Sequence, residues 1–224
     1  MPAPPHGHAK WWFLQQYPVL QAADLECERG GRVLFRALSL ALEAGEFLHV
    51  AGPNGSGKTS LLRILCGLLA PTAGEVRWKG APIGSLKEDY SKEIVYLGHA
   101  PAVKDDLTAA ENLAIACRLG GNAQPESAVR AALERFGVPE GPFLKKLSQG
   151  QRRRAALARL ELSASAPLWL LDEPFSALDA GGIELLKKLV LEHLDRGGAA
   201  VFTTHQDPGI AATKVVNLGA AEPA

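Results

Sequence analysis

Eight residues constrain this chain of 224 more than any others: Gly52-Pro53-Asn54-Gly55-Ser56-Gly57-Lys58-Thr59, with Ser60 next. They satisfy G-x-x-x-x-G-K-[ST], a loop whose backbone N–H groups cradle nucleotide phosphates when a strand runs into it and a helix leaves it. Both flanks are present. Phe47–Ala51 has the length and apolarity of a buried strand, and Leu61, Leu62, Ile64, Leu65, Leu68 and Leu69 then recur at helical spacing, with Gly67 and Pro71 at the exit. Leu168–Leu171 and Ala199–Thr204 are further short apolar runs of the kind that become buried parallel strands. Strands alternating with helical patterns predict an α/β fold whose parallel sheet is covered on both faces.

The chemistry follows from residue types. Lys58 is placed to reach the β and γ phosphates, and the Thr59 hydroxyl to hold Mg²⁺. Gly55 and Gly57 admit the backbone conformations that turn N–H groups inward, while the next helix presents its positive end. Asp172 closes an apolar strand, where its carboxylate can ligate Mg²⁺ through water. Glu173 is then positioned to polarise an attacking water, a role that typically contributes about 10²–10⁴ in rate. A plain turn is the competing explanation for Asp172-Glu173.

Between loop and strand end lies Leu147-Ser148-Gln-Gly150-Gln151, which resembles the signature of the ATP-binding-cassette (ABC) ATPases. The resemblance implies a P-loop NTPase (RecA-like) core with an antiparallel β subdomain and an inserted helical subdomain, here about residues 100–165, and ATP with Mg²⁺ as ligands. Thr108 to about Ala166 reads as helical, marked by Leu113, Ile115, Val129, Leu133 and Phe136. Ser148 and Gly150 open a helix, so they form an anion site or only an N-cap. In the family, Ser148, Gly150 and Gln151 face the γ-phosphate held by a second, head-to-tail copy, and Asp179 in Ser176-Ala-Leu-Asp179 joins the two sites. His205, after Phe202-Thr-Thr, matches the switch histidine that contacts the γ-phosphate. Arg152, Arg153 and Arg154 oppose the helix dipole, and a charge run of this kind reads as a solvated face. His49 and His193 read as structural.

Two positions depart from the common pattern. His99, in Tyr96-Leu-Gly-His99, stands where many members carry a Gln that touches Mg²⁺ and the attacking water; a His there carries a pH-dependent charge. Arg29 aligns near the adenine-stacking aromatic, and a guanidinium plane can also stack on a base. Phe35 is the alternative. Both departures are similar to what the cytochrome c maturation (haem-export) ATPase subfamily carries. Cys27-Glu-Arg-Gly-Gly-Arg32-Val-Leu-Phe35, Val103-Lys104-Asp-Asp-Leu-Thr108, Leu168-Trp169-Leu-Leu-Asp-Glu-Pro-Phe175 and Phe202-Thr-Thr-His205-Gln206 resemble that subfamily too. The resemblance runs from about Leu20 to Gln206. It implies a peripheral ATPase on the cytoplasmic face of the inner membrane, held by integral membrane permease subunits and paired with a second copy. Direct haem binding by this chain is not expected: it has no Cys-x-x-Cys-His and a single Met.

The bulk properties set the remaining bounds. Twenty-four Lys and Arg balance 24 Asp and Glu, whereas a protein held to nucleic acid through phosphates is expected to show a basic excess. The longest uncharged run, Trp11–Ala23, is thirteen residues with three glutamines and a proline, short of the ~20 apolar residues a spanning helix needs. Cys27, Cys66 and Cys117 lack metal-ligand spacing and read as small buried hydrophobes. Residues 1–18, opening Met-Pro-Ala-Pro-Pro-His6-Gly-His8, read as a disordered extension, and 19–224 as one nucleotide-binding domain. The alternatives are a transporter ATPase with another cargo, a soluble ABC ATPase acting on ribosomes or DNA, and, last, a non-catalytic regulator.

Overall fold

The structure, a computed structural model, describes residues 18–204 and 209–219; residues 1–17 of the extension and His205 lie outside them. Two sheets organise it. In the first, antiparallel, strands β1 (Leu20–Arg29), β2 (Arg32–Leu42), β4 (Ala73–Trp78) and β5 (Ala81–Pro82) run in the order β2-β1-β4-β5. In the second, parallel, strands β3 (Phe47–Ala51), β6 (Ile94–Leu97), β7 (Leu168–Asp172), β8 (Ala199–Thr203) and β9 (Lys214–Asn217) run in the order β6-β7-β8-β3-β9. Helix α1 (Lys58–Leu65) follows β3, and the short helices α2 (Ile83–Leu86) and α3 (Glu88–Lys92) precede β6. A helical lobe is inserted between β6 and β7: α4 (Ala109–Leu119), α5 (Glu126–Arg135), a 3₁₀ turn at Leu144–Lys146 and α6 (Gln149–Leu162). Helix α7 (Ala180–Asp195) connects β7 to β8.

Alternation along the central strands explains why the parallel sheet is covered on both faces. Leu168 and Leu170 of β7, Ala199 and Val201 of β8, and Leu48 and Val50 of β3 join one core, shared with α1 and the antiparallel sheet. Their neighbours Trp169, Leu171, Ala200, Phe202 and Phe47 join the other, shared with the helical lobe and α7. Every residue of β7 and β8 is buried, and each strand is an unbroken apolar run up to its last residue, Asp172 or Thr203. All three cysteines are buried and unpaired, and burial pushes the Cys66 thiol up to about 11.

The lobe is fixed by local chemistry at its first helix. Thr108 and Glu111 form a reciprocal capping box: the Glu111 N–H donates to Thr108 Oγ1 at 3.2 Å and the Thr108 N–H to Glu111 Oε2 at 2.8 Å. Leu113, Val129, Leu133 and Phe136 pack inward. Ile115 does not: it is 41% exposed on the outer face of α4, two positions round from Leu113.

His193 has the structural role its sequence context indicated. Its ring stacks on Trp169 with centroids 3.9 Å apart, and Nε2 lies 3.2 Å from the Ala199 carbonyl. Gly198 must be bare, because a Cβ there would stand 2.2 Å from the imidazole. Burial holds the imidazole down at about 4, aided by Arg196 and opposed by the Ala199 carbonyl. An unfolded His takes a proton near 6.5. The native state therefore loses stability as pH falls from about 6.5 to about 4, by roughly 3 kcal/mol in all. Urea titrations across that range should show the loss, and His193→Phe, which keeps the stacking without a titrating group, should remove most of it.

Candidate functional site

The site is assembled where β3 and β7 end. Between β3 and α1 the chain turns through Gly52 (φ 144°) and Gly57 (φ 102°). A Cβ at Gly52 would stand 2.4 Å from the Leu218 carbonyl and 2.7 Å from Ser56 Oγ; at Gly57 it would meet Leu34 at 3.0 Å. Only glycine fits either place. Gly57 caps α1 with no side-chain hydrogen bond, so the helix opens with bare N–H groups directed into the loop. Lys58 Nζ donates to the carbonyls of Gly52 at 2.7 Å and Pro53 at 3.0 Å, which keeps the ammonium against the loop it belongs to.

Across from α1, β7 delivers Asp172, buried at the carboxyl end of this central strand. Its carboxylate is held from two sides: Thr59 Oγ1 donates to Oδ2 at 2.8 Å and Thr203 Oγ1 to Oδ1 at 2.5 Å. Glu173 follows in a left-handed conformation (φ 49°) that a non-glycine residue adopts only when its surroundings enforce it. Here its N–H donates to the Thr203 carbonyl at 3.0 Å and to Thr203 Oγ1 at 3.1 Å. Asn54, Gly55, Gly57, Lys58, Thr59, Ser60, His99, Asp172, Glu173 and Thr204 share one cleft of about 700 Å³. A hydroxyl beside a carboxylate is the hard-oxygen pair that Mg²⁺ takes, and the bare N–H groups facing it suit phosphate, so the residues present fit a magnesium-nucleotide. His99 also lines a second groove of about 610 Å³, with Leu68, Pro101, Val103, Leu113 and Ala116 among its apolar walls.

The arginine run corrects the expectation of a solvated face. Arg153 is only 4% exposed. Its Nη1 donates to the carbonyls of Gly98 at 2.9 Å and His99 at 3.2 Å, and its Nη2 to those of Asp172 at 2.9 Å and Glu173 at 2.7 Å. Arg152 pairs with Asp105 at 2.9 Å, and Arg154 lies 3.8 Å from Asp179. Helical period was the available signal: Arg153, Leu157 and Leu160 are spaced i, i+4, i+7 and face the same interior. Thr203 was missed as well, since nothing in an apolar strand marks its last hydroxyl as a partner of Asp172.

Other expected residues fall as follows. Ser148 is the N-cap of α6, in a capping box with Gln151: the Gln151 N–H donates to Ser148 Oγ at 3.2 Å and the Ser148 N–H to Gln151 Oε1 at 2.9 Å. Gly150 lies against the loop after β7, where a Cβ would meet the Ala177 carbonyl at 2.9 Å. Asp179 caps α7, accepting from the Gly182 N–H at 3.0 Å. Arg29 is exposed at the end of the β1–β2 hairpin, opposite Arg32, and does not line the cleft; Leu34 does. Phe35 is withdrawn from any base-stacking role, because its ring is buried against Gly57. His49 Nε2 lies 3.3 Å from the Thr204 carbonyl, a structural contact. His205 lies outside the described residues.

Comparison with known proteins agrees with this geometry. The profile of the ABC transporter family matches residues 35–176. The chain is 51% identical over 206 residues, 91% of its length and 96% of the other's, to the cytochrome c biogenesis ATP-binding export protein CcmA of Aromatoleum aromaticum. It is 50% identical over 203 residues, 90% and 98% of the two lengths, to the protein of the same name from Nitrosospira multiformis. Among solved structures, the ATP-binding cassette MJ0796, a dimer in a post-hydrolysis state bound to ADP and Pi, superposes with a TM-score of 0.73 at 26% identity, covering 89% of this chain and 94% of that one.

Removing the buried guanidinium leaves four carbonyls short of a donor. Arg153→Ala should lower unfolding free energy by about 3 kcal/mol, and Arg153→Lys should recover only part of it, because an ammonium cannot serve two carbonyl pairs at once. Chemical denaturation of the three proteins decides this.

Proposed function

The chain belongs to the ABC transporter family as an ATP-hydrolysing subunit, and we propose that it powers haem export or haem delivery in cytochrome c biogenesis. The observation that carries the catalytic part is the convergence of Lys58, Thr59, Asp172 and Glu173 on one cleft at the ends of β3 and β7. Near-full-length identity of 51% to a protein named for cytochrome c biogenesis carries the cargo.

In this reading backbone N–H groups between Asn54 and Ser60, at the turn into α1, close around the ATP phosphates, and Lys58 meets the β and γ groups. Thr59 and Asp172 are the residues that hold Mg²⁺, Asp172 through water. Bound Mg²⁺ neutralises charge on the phosphate oxygens. Glu173 orients the attacking water and accepts its proton, with its backbone already fixed by Thr203 and Arg153. His205 contacts the γ-phosphate. Leu34, on the cleft wall, and Arg29, at the tip of the same hairpin, are the side chains offered to adenine.

A second copy completes the site. Ser148, Gly150 and Gln151 present the N-terminus of α6 to the nucleotide of the opposing copy, and Asp179 lies on the same face. The dimeric cassette it resembles supports this pairing. Among the described residues no helix is long and apolar enough to cross a membrane, and the proposed place is peripheral, on the cytoplasmic face of the inner membrane. The permease subunits meet the groove beside His99, where Leu68 is exposed; haem is handled by those subunits and not by this chain. No nucleic-acid partner is proposed, given the charge balance.

Glu173→Gln should bind ATP, pair, and turn over about 10²–10⁴ times more slowly, whereas Lys58→Ala should lose nucleotide binding. ATPase assays and size-exclusion chromatography with ATP test both, and normal turnover in Glu173→Gln would overturn the role of the carboxylate. Glu173→Gln recovered with ATP from gently solubilised native membranes should bring cytochrome c biogenesis membrane subunits. Unrelated permeases would mean a different cargo, and no membrane partner would favour a soluble factor.

A further inference from the structure

We infer that Thr203 is a positioning residue, whose single hydroxyl sets both the carboxylate of Asp172 and the backbone of Glu173. The inference rests on the roles proposed above for those two residues. Thr203 is the last residue of β8, fully buried, and pairs in register with Asp172 across the parallel ladder. Its four predecessors, Ala199 to Phe202, are apolar and buried. Valine would match the shape of Thr203 and the character of that strand, so the hydroxyl is the feature to be explained.

Its geometry supplies the explanation. A hydroxyl has one proton and two lone pairs. The proton goes to Asp172 Oδ1, because an ionised carboxylate can only accept. A lone pair is then left to accept the Glu173 N–H at 3.1 Å. With Oδ1 held by Thr203, Oδ2 is turned towards Thr59, the side on which the magnesium-nucleotide fits. The same N–H is shared with the Thr203 carbonyl, so one residue holds Glu173 at the left-handed φ of 49° from its amino side while Arg153 holds its carbonyl. Removing the hydroxyl frees the Asp172 carboxylate to rotate and loosens the turn that aims Glu173. Asp172 acts on the metal through water, and loss of a hydrogen-bonding partner in the outer shell of a metal site typically weakens metal affinity or activity by about 10–100-fold.

The experiment compares Thr203→Val with Thr203→Ser. Mn²⁺ binding is followed by electron paramagnetic resonance in the presence of a non-hydrolysable ATP analogue, alongside kcat, KM for ATP and thermal unfolding of the metal-free protein. Thr203→Val should weaken Mn²⁺ by roughly 10–100-fold and lower kcat on a similar scale, with KM changed far less. Thr203→Ser should restore both. Native Mn²⁺ affinity and kcat in Thr203→Val would overturn the inference, whatever the melting temperature does. A fall in melting temperature alone, with metal binding intact, would assign Thr203 to the core and overturn it equally. If Thr203→Val fails to fold, Thr203→Cys repeats the comparison with a weak donor of similar size, and native Mn²⁺ affinity there overturns it too. Asp172→Asn is the reference. Unchanged Mn²⁺ affinity in Asp172→Asn would sink the metal role of Asp172 and this inference with it, whereas unchanged affinity in Thr203→Val alone would sink only Thr203.

Discussion

A single buried guanidinium ties the helical lobe to the nucleotide cleft. Arg153 reaches from α6 to the carbonyls of Gly98 and His99 on one side and of Asp172 and Glu173 on the other. Apolar packing between lobe and sheet is non-directional and tolerates sliding, but four charge-assisted hydrogen bonds from one planar group do not. Burial pulls the Arg153 pKa down while Asp172 and Glu173 push it up, and arginine stays charged in any case. The cation thus balances the acidic pair from behind without entering the cleft.

The contacts around it are concentrated on one stretch of chain. The segment from Asp172 to Asp179 receives Arg153 at its start, Gly150 against Ala177 in its middle, and Arg154 near Asp179 at its end. All three contacting residues come from the first two turns of α6, just after the Ser148 cap. The signature helix is therefore fastened to the acidic segment along its length, and the glycine at position 150 is required by a backbone neighbour of the same chain, apart from any part it plays towards a second copy.

What the sequence could show divides along physical lines. The phosphate loop was legible because its requirements are local: glycines at fixed offsets, a Lys, a Thr, a strand before and a helix after. Asp172 was legible because a carboxylate ending a five-residue apolar strand is conspicuous. Arg153 was not, because three consecutive cations read as solvent-facing unless the period through Leu157 and Leu160 is followed into the core. Thr203 was hidden for another reason: its partner lies 31 residues away, and the pairing exists only once β7 and β8 are in register. Phe35 shows the reverse case, an aromatic near the loop that is buried against Gly57 instead of facing the cleft.

That register has a consequence for how the carboxylate is aimed. Leu168 and Leu170 point to the α1 side of the sheet, and Asp172, two residues further, points the same way, to Thr59. Trp169 and Leu171 point to the opposite side. A one-residue slip of β7 would exchange the two faces at a stroke, sending Trp169 towards α1 and turning Asp172 away from Thr59. A misregistered chain therefore cannot keep a functional carboxylate in a faulty core: the partition of oil between the two faces is also the sight-line of the acid, and an error in one extinguishes the other.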